Sequence, residues 1–195
     1  MWRIDLPLNR LGKIVIIYLI SVGVGIVSAS IYHNNLIENS KILGEVVIGI
    51  NQVRTTEIEK EKIFDTIADL ENYPKILPKN VISVEIINQT VGAGGADVIF
   101  AKETVTEAGV QTTLTIRHAL VPYDRHNIEV MDGNAKGTII RLTFKETDTG
   151  TEISIESEIK IHGILAPFGL LTRPNMESAI DTTINSFIEY AKSNT

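Results

Sequence analysis

The sequence predicts an α+β domain in which a seven-stranded antiparallel sheet is covered by one long C-terminal helix, preceded by a transmembrane helix. Three observations carry this reading. Residues 14–31 form an 18-residue run of apolar and small side chains; strand signals then recur between turn residues; and the last thirty residues repeat their apolar positions at helical spacing.

The apolar run sits close to the ~20 residues that a helix needs to cross a bilayer, and exceeds the ~7–15 of a signal-peptide core. The competing reading is a cleaved signal, for which Ser28-Ala29-Ser30 is a weak cleavage site. Arg3, Arg10 and Lys13 precede the run, while positions 32–40 contain no Lys or Arg. By the positive-inside rule, residues 1–13 form a cytoplasmic tail, 14–32 the membrane helix, 33–44 a linker, and 45–195 a domain outside the cytoplasm. The expected location is the cell membrane, crossed once.

Composition excludes several classes of function. The chain has 195 residues, 44% of them hydrophobic, enough for one domain with a substantial core. It has no cysteine, which rules out disulfides, thiolate metal sites and cysteine nucleophiles. The net charge is −6; the first 32 residues hold three basic and one acidic side chain, so the remainder carries −8 and is a poor partner for nucleic acid.

Within the domain, Glu45 to Ile58 is rich in Val, Ile and Thr and reads as a first strand. A short helix follows, with Ile63, Phe64, Ile67 and Leu70 on one face, ended by DLENYPKILPKN at 69–80. Pro74 and Pro78 should hold Tyr73 and Leu77 extended or in a turn. Six strands then follow without a helix. Their alternation sets Leu114, Ile116, His118 and Leu120 on one face, with Leu142, Ile153 and Ile155 likewise inward. Past Pro174, Met176, Ile180, Thr183, Ile184, Phe187 and Ala191 make the apolar stripe of a helix that covers this face.

This order, with the local motif IFDTIADLENYPKILP at 63–78, resembles the START-like or SRPBCC superfamily. That group includes the polyketide cyclase/dehydrase and lipid-transport proteins, the birch-pollen-allergen type and the coenzyme-Q-binding proteins. The resemblance spans about residues 45–193. It implies a helix-grip fold, with two short helices after the first strand and the sheet curved around the last helix to leave a cavity for a hydrophobic ligand.

The candidate cavity residues are Tyr73, Leu77, Leu114, Ile116, His118, Leu142, Ile153, Ile155, Ile180, Ile184 and Phe187. The competing reading is a filled core. His118 would hydrogen-bond a ligand oxygen or serve as a base; the plainer alternative is a half-exposed imidazole near a strand end. A one-residue slip would exchange His118 with Arg117. No residue is assigned a catalytic role. Histidines 33, 118, 126 and 162 lack metal-ligand spacing, Gly92 to Gly95 reads as a hairpin loop rather than a dinucleotide motif, and no cofactor is expected.

The expected function is membrane-anchored binding, with local transfer, of a lipid, isoprenoid or quinone. A polyketide cyclase/dehydratase-like enzyme is the alternative; it requires His118 within hydrogen-bond reach of a second inward polar group. A ligand-free interaction module is the other. Two further features bear on location: Asn88-Gln89-Thr90 is a glycosylation sequon, and ILAPFGLL at 164–171 is either buried packing or a gate that touches lipid.

Overall fold

The computed structural model describes residues 45–107, 110–162 and 173–194. The expected membrane helix, the linker and the segment at 164–171 lie outside the described residues. Among those described, no helix is long and apolar enough to cross a membrane.

The first strand, β1 (Glu45–Thr56), leads into α1 (Lys60–Ala68), a single 3-10 turn at Leu70–Asn72, and α2 (Tyr73–Ile76). The strands β2 (Val81–Val91), β3 (Asp97–Glu107), β4 (Val110–Val121), β5 (Arg125–Val130), β6 (Ile139–Thr147) and β7 (Gly150–His162) then run consecutively to α3 (Arg173–Ser193). Their order in the sheet is β1-β7-β6-β5-β4-β3-β2, with every neighbouring pair antiparallel. Each strand from β2 onward therefore pairs with the next in sequence, and β7 closes back on β1. The meander follows from short turns: antiparallel strands can be joined by a few residues, whereas parallel ones need a long crossover.

The alternation determines which face is dry. Leu114, Ile116 and His118 of β4, Ile140, Leu142 and Phe144 of β6, and Ile153 and Ile155 of β7 are all buried. Between them Arg141 and Thr143 are exposed. On α3 the predicted stripe is buried throughout, from Met176 through Thr183 to Ala191, so this helix covers the concave side. Burial of a side chain such as Ile184 or Phe187 contributes about 1.5–3 kcal/mol.

The corner after α1 departs from expectation at one residue. Tyr73 is not extended but helical, at φ −52° and ψ −40°, although Pro74 follows it. The steric preference of a pre-proline residue is overridden by tertiary contacts. The ring is fully buried, stacks edge-on against Phe187 at 5.2 Å, and its hydroxyl donates to the Ile67 carbonyl at 2.8 Å. Pro74 occupies the first turn of α2, where its missing N–H costs nothing. Leu77 then caps the turn, its N–H donating to the Tyr73 carbonyl at 2.8 Å.

Candidate functional site: a buried carboxyl and two imidazoles

Among the aliphatic side chains of the concave face lie three ionisable ones. Glu103 comes from β3, His118 from β4 and His126 from β5, and each is 0% exposed. Parity places them there: Glu103 alternates with the inward Ala101 and Val105, and His126 with Ile128 and Val130. His126 sits opposite Leu120 in the ladder and His118 opposite Ile128, so the two imidazoles are diagonal neighbours. Glu103 lies opposite Leu114, four residues along β4 from His118. The inward residue between is Ala101, paired with Ile116.

The three groups form a chain. Glu103 Oε1 lies 3.0 Å from His118 Nε2, and His118 Nδ1 lies 2.9 Å from His126 Nε2. The two ends, Glu103 Oε2 and His126 Nδ1, are buried without a hydrogen-bond partner among the described residues. Thr183 of α3 offers a third unpartnered buried oxygen from the helix side. Most buried polar atoms are satisfied, and one left unpaired costs about 1–3 kcal/mol.

Burial favours the neutral form of all three groups. It pushes the Glu103 carboxyl well above the usual carboxylate range. It likewise holds both imidazoles down: His126 at about 3, and His118 well below 6.5, with His126 adding to the effect. Burial thus acts on both partners of the Glu103–His118 contact in the direction of the neutral form. Tyr73 is close enough that burial, and then the Glu103 carboxyl, raise its phenol well above 10.

All eleven predicted cavity residues are buried, and His118 points inward while Arg117, on the opposite face, meets Glu129. The half-exposed reading of His118 is wrong: it is 0% exposed on the inner face that it shares with Leu114 and Ile116. Glu103 and His126 are site residues that the sequence reading does not identify, although the alternation of Ala101, Glu103 and Val105 is a readable signal. His118 presents its two nitrogens to different partners, so the cluster is a chain rather than a convergent ligand set. No group of three or more His, Cys, Asp or Glu among the described residues is arranged to hold a metal ion.

A separate surface cleft of about 480 Å³ lies between α1 and the end of α3, sharing no residue with the chain. Glu59, Glu61, Asp65 and Asp69 give it an acidic wall, and Tyr190 lines it from α3. Burial, and secondarily Glu61, raise the Asp65 carboxyl above its ordinary value.

Residues 56–188 match the family described as polyketide cyclase / dehydrase and lipid transport. No curated protein sequence matches the chain. Solved structures do. Ara h 8.0201 is 17% identical with a TM-score of 0.58, over 76% of this chain and 99% of that one. The Zhui aromatase/cyclase from Streptomyces sp. R1128 is also 17% identical at a TM-score of 0.58, covering 75% and 94%. TTHA0849 from Thermus thermophilus is 15% identical with the same score, covering 78% and 99%. At these identities the likeness establishes the fold, that of the SRPBCC/Bet v1-like proteins.

Proposed function

This chain belongs to the polyketide cyclase / dehydrase and lipid transport family, and from that premise we propose that it binds a hydrophobic small molecule between the concave face of the sheet and α3. The observation that carries this reading is the set of unpartnered polar atoms, Glu103 Oε2, His126 Nδ1 and Thr183 Oγ1, on otherwise aliphatic surfaces. Ligand sites are mostly apolar with a few placed polar groups, and this interior has that composition. Apolar contact supplies the affinity, about 0.8 kcal/mol for each buried methylene, so such an interior competes with a bilayer for its ligand.

The apolar run at 14–31 extends the proposal. As an anchor it would keep the domain beside a membrane, outside the cytoplasm, where a lipid, isoprenoid or quinone is locally concentrated. The two prolines of the α2 corner would hold one rim of the site. Native mass spectrometry of the full chain released from membranes of its own host tests the binding. A co-purifying lipid or quinone is expected; none, together with no uptake from vesicles, sinks it.

A second reading, a polyketide cyclase/dehydratase-like enzyme, gains support from one specific observation. It required a second inward polar group within reach of His118, and His118 has two, at 3.0 and 2.9 Å. Turnover of an aromatic polyketide precursor, lost in His118→Phe, would favour it.

A further inference from the structure

The chain of Glu103, His118 and His126 has a property that none of its members has alone. When neutral, a carboxyl and two imidazoles carry three acidic protons in total. The two internal contacts, Glu103 Oε1 to His118 Nε2 and His118 Nδ1 to His126 Nε2, each need one proton between their atoms. One proton is left over, and it must sit at one of the two ends.

Two arrangements satisfy that count. In the first, the Glu103 Oε1 hydroxyl donates to His118 Nε2, His118 Nδ1–H donates to His126 Nε2, and His126 Nδ1–H is a free donor at one end while Glu103 Oε2 is acceptor-only at the other. In the second, the proton sits on Glu103 Oε2, both imidazoles carry theirs on Nε2, and His126 Nδ1 is the acceptor. A proton added at one end and removed at the other converts the first into the second with no change in charge.

We infer that Glu103 Oε2 and His126 Nδ1 are the paired ends of a ligand-recognition site that offers one hydrogen-bond donor and one acceptor, for an uncharged molecule bearing both a hydroxyl and a carbonyl. This rests on the reading that the interior admits a hydrophobic molecule. Both ends are wholly buried and lack partners among the described residues. A carboxylate or ammonium on the ligand would find a counter-charge here only if an imidazole or Glu103 ionised while fully buried, at a cost of several kcal/mol. An ionised Glu103 would leave only two protons and make both ends acceptors, and the site would then prefer two hydroxyls. Burial raises the Glu103 carboxyl and lowers both imidazoles, which favours the three-proton count.

The test has two arms, both on the full chain in detergent at pH 7. With histidine labelled at its ring nitrogens, NMR should show His118 and His126 neutral and in the same tautomer. An imidazolium, or opposite tautomers on the two rings, overturns the inference. In the second arm, binding of tetralin, 6-hydroxy-1-tetralone and 1,5-dihydroxynaphthalene is compared with the wild type, Glu103→Gln, Glu103→Met and His126→Phe. Hydroxytetralone should bind about tenfold more tightly than tetralin, as two added net hydrogen bonds allow. Glu103→Gln should keep this preference, because an amide again offers either a donor or an acceptor at its free atom. Glu103→Met and His126→Phe should lose it while still binding tetralin. Equal binding of tetralin and hydroxytetralone to the wild type, or a preference for the dihydroxy probe, overturns the inference and leaves the hydrophobic site standing. No binding of any probe removes the hydrophobic site, and the ligand class with it.

Discussion

At Glu103, His118 and His126, stability and pH are linked in a direction that can be worked out. The imidazoles have lowered values when folded, so the unfolded chain binds more protons below about 6.5. Their contribution to stability is complete above that pH and is lost as pH falls toward about 3. Glu103 acts oppositely. Its folded value is raised, so the folded chain holds the extra proton, and stability declines as pH rises from its ordinary value of 4.5 toward the raised one. Two imidazoles outweigh one carboxyl below about 6.5, with a limiting slope of about 1.4 kcal/mol per pH unit for each net proton. Denaturant titrations should therefore show stability falling as pH drops below about 6.5, and Glu103→Gln should steepen that fall by removing the opposing carboxyl. An unchanged acid limb in that variant would mean that Glu103 is ionised in the folded protein. At Tyr73, the Phe variant should lose about 1 kcal/mol through the Ile67 carbonyl that its hydroxyl satisfies, and the Ala variant about 3–5 kcal/mol as the contact with Phe187 goes too. Equal losses in urea unfolding would show that the hydroxyl contributes all of the effect.

Among the elements, the β6–β7 hairpin and the seating of α3 depend on few residues. Gly150 opens β7 at φ 140°, and a Cβ there would lie 2.1 Å from the Thr56 carbonyl oxygen and 2.7 Å from Glu57 Cα. Both obstacles are backbone, so Gly150→Ala should cost more than the about 1–3 kcal/mol of conformational strain alone. It should lower the melting temperature by several degrees; a change under one degree would show that the β1 end moves freely. Helix α3 is fastened to β1 by Arg54 with Asp181 and by Gln52 Nε2 donating to the Glu177 carbonyl at 3.1 Å. The ion pair is about a third exposed on each side, so its loss matters less than burial of the helix face. The helix was legible in the spacing of Met176, Ile180, Ile184 and Phe187, because a 3.6-residue period is a local property. The helical φ and ψ of Tyr73 were not, because the ring's partners, Ile67 and Phe187, are six and more than a hundred residues away.

On the scale of the whole molecule, the proposed anchor and the proposed ligand site make one prediction each. Removal of residues 1–44 should move the protein from the membrane pellet to the supernatant after cell fractionation; persistence in the pellet would remove the anchor. A bound hydrophobic ligand at one hundred times its dissociation constant should add about 2.7 kcal/mol of stability, visible as a rise in melting temperature. The succession of strands, the aliphatic inward-facing positions and the covering helix were legible in the sequence itself, because alternation, turn residues and helical periodicity are written between near neighbours; the pairing of β7 with β1, which joins distant segments, was not. The presence of a polar residue on the dry face, at His118, was legible too. Its partners were decided by the tertiary structure alone. Whether Glu103, four residues out of step along β4, and His126, on the next strand, reach His118 depends on the register of β3, β4 and β5. Those are relations among three strands, and no window of the sequence contains them.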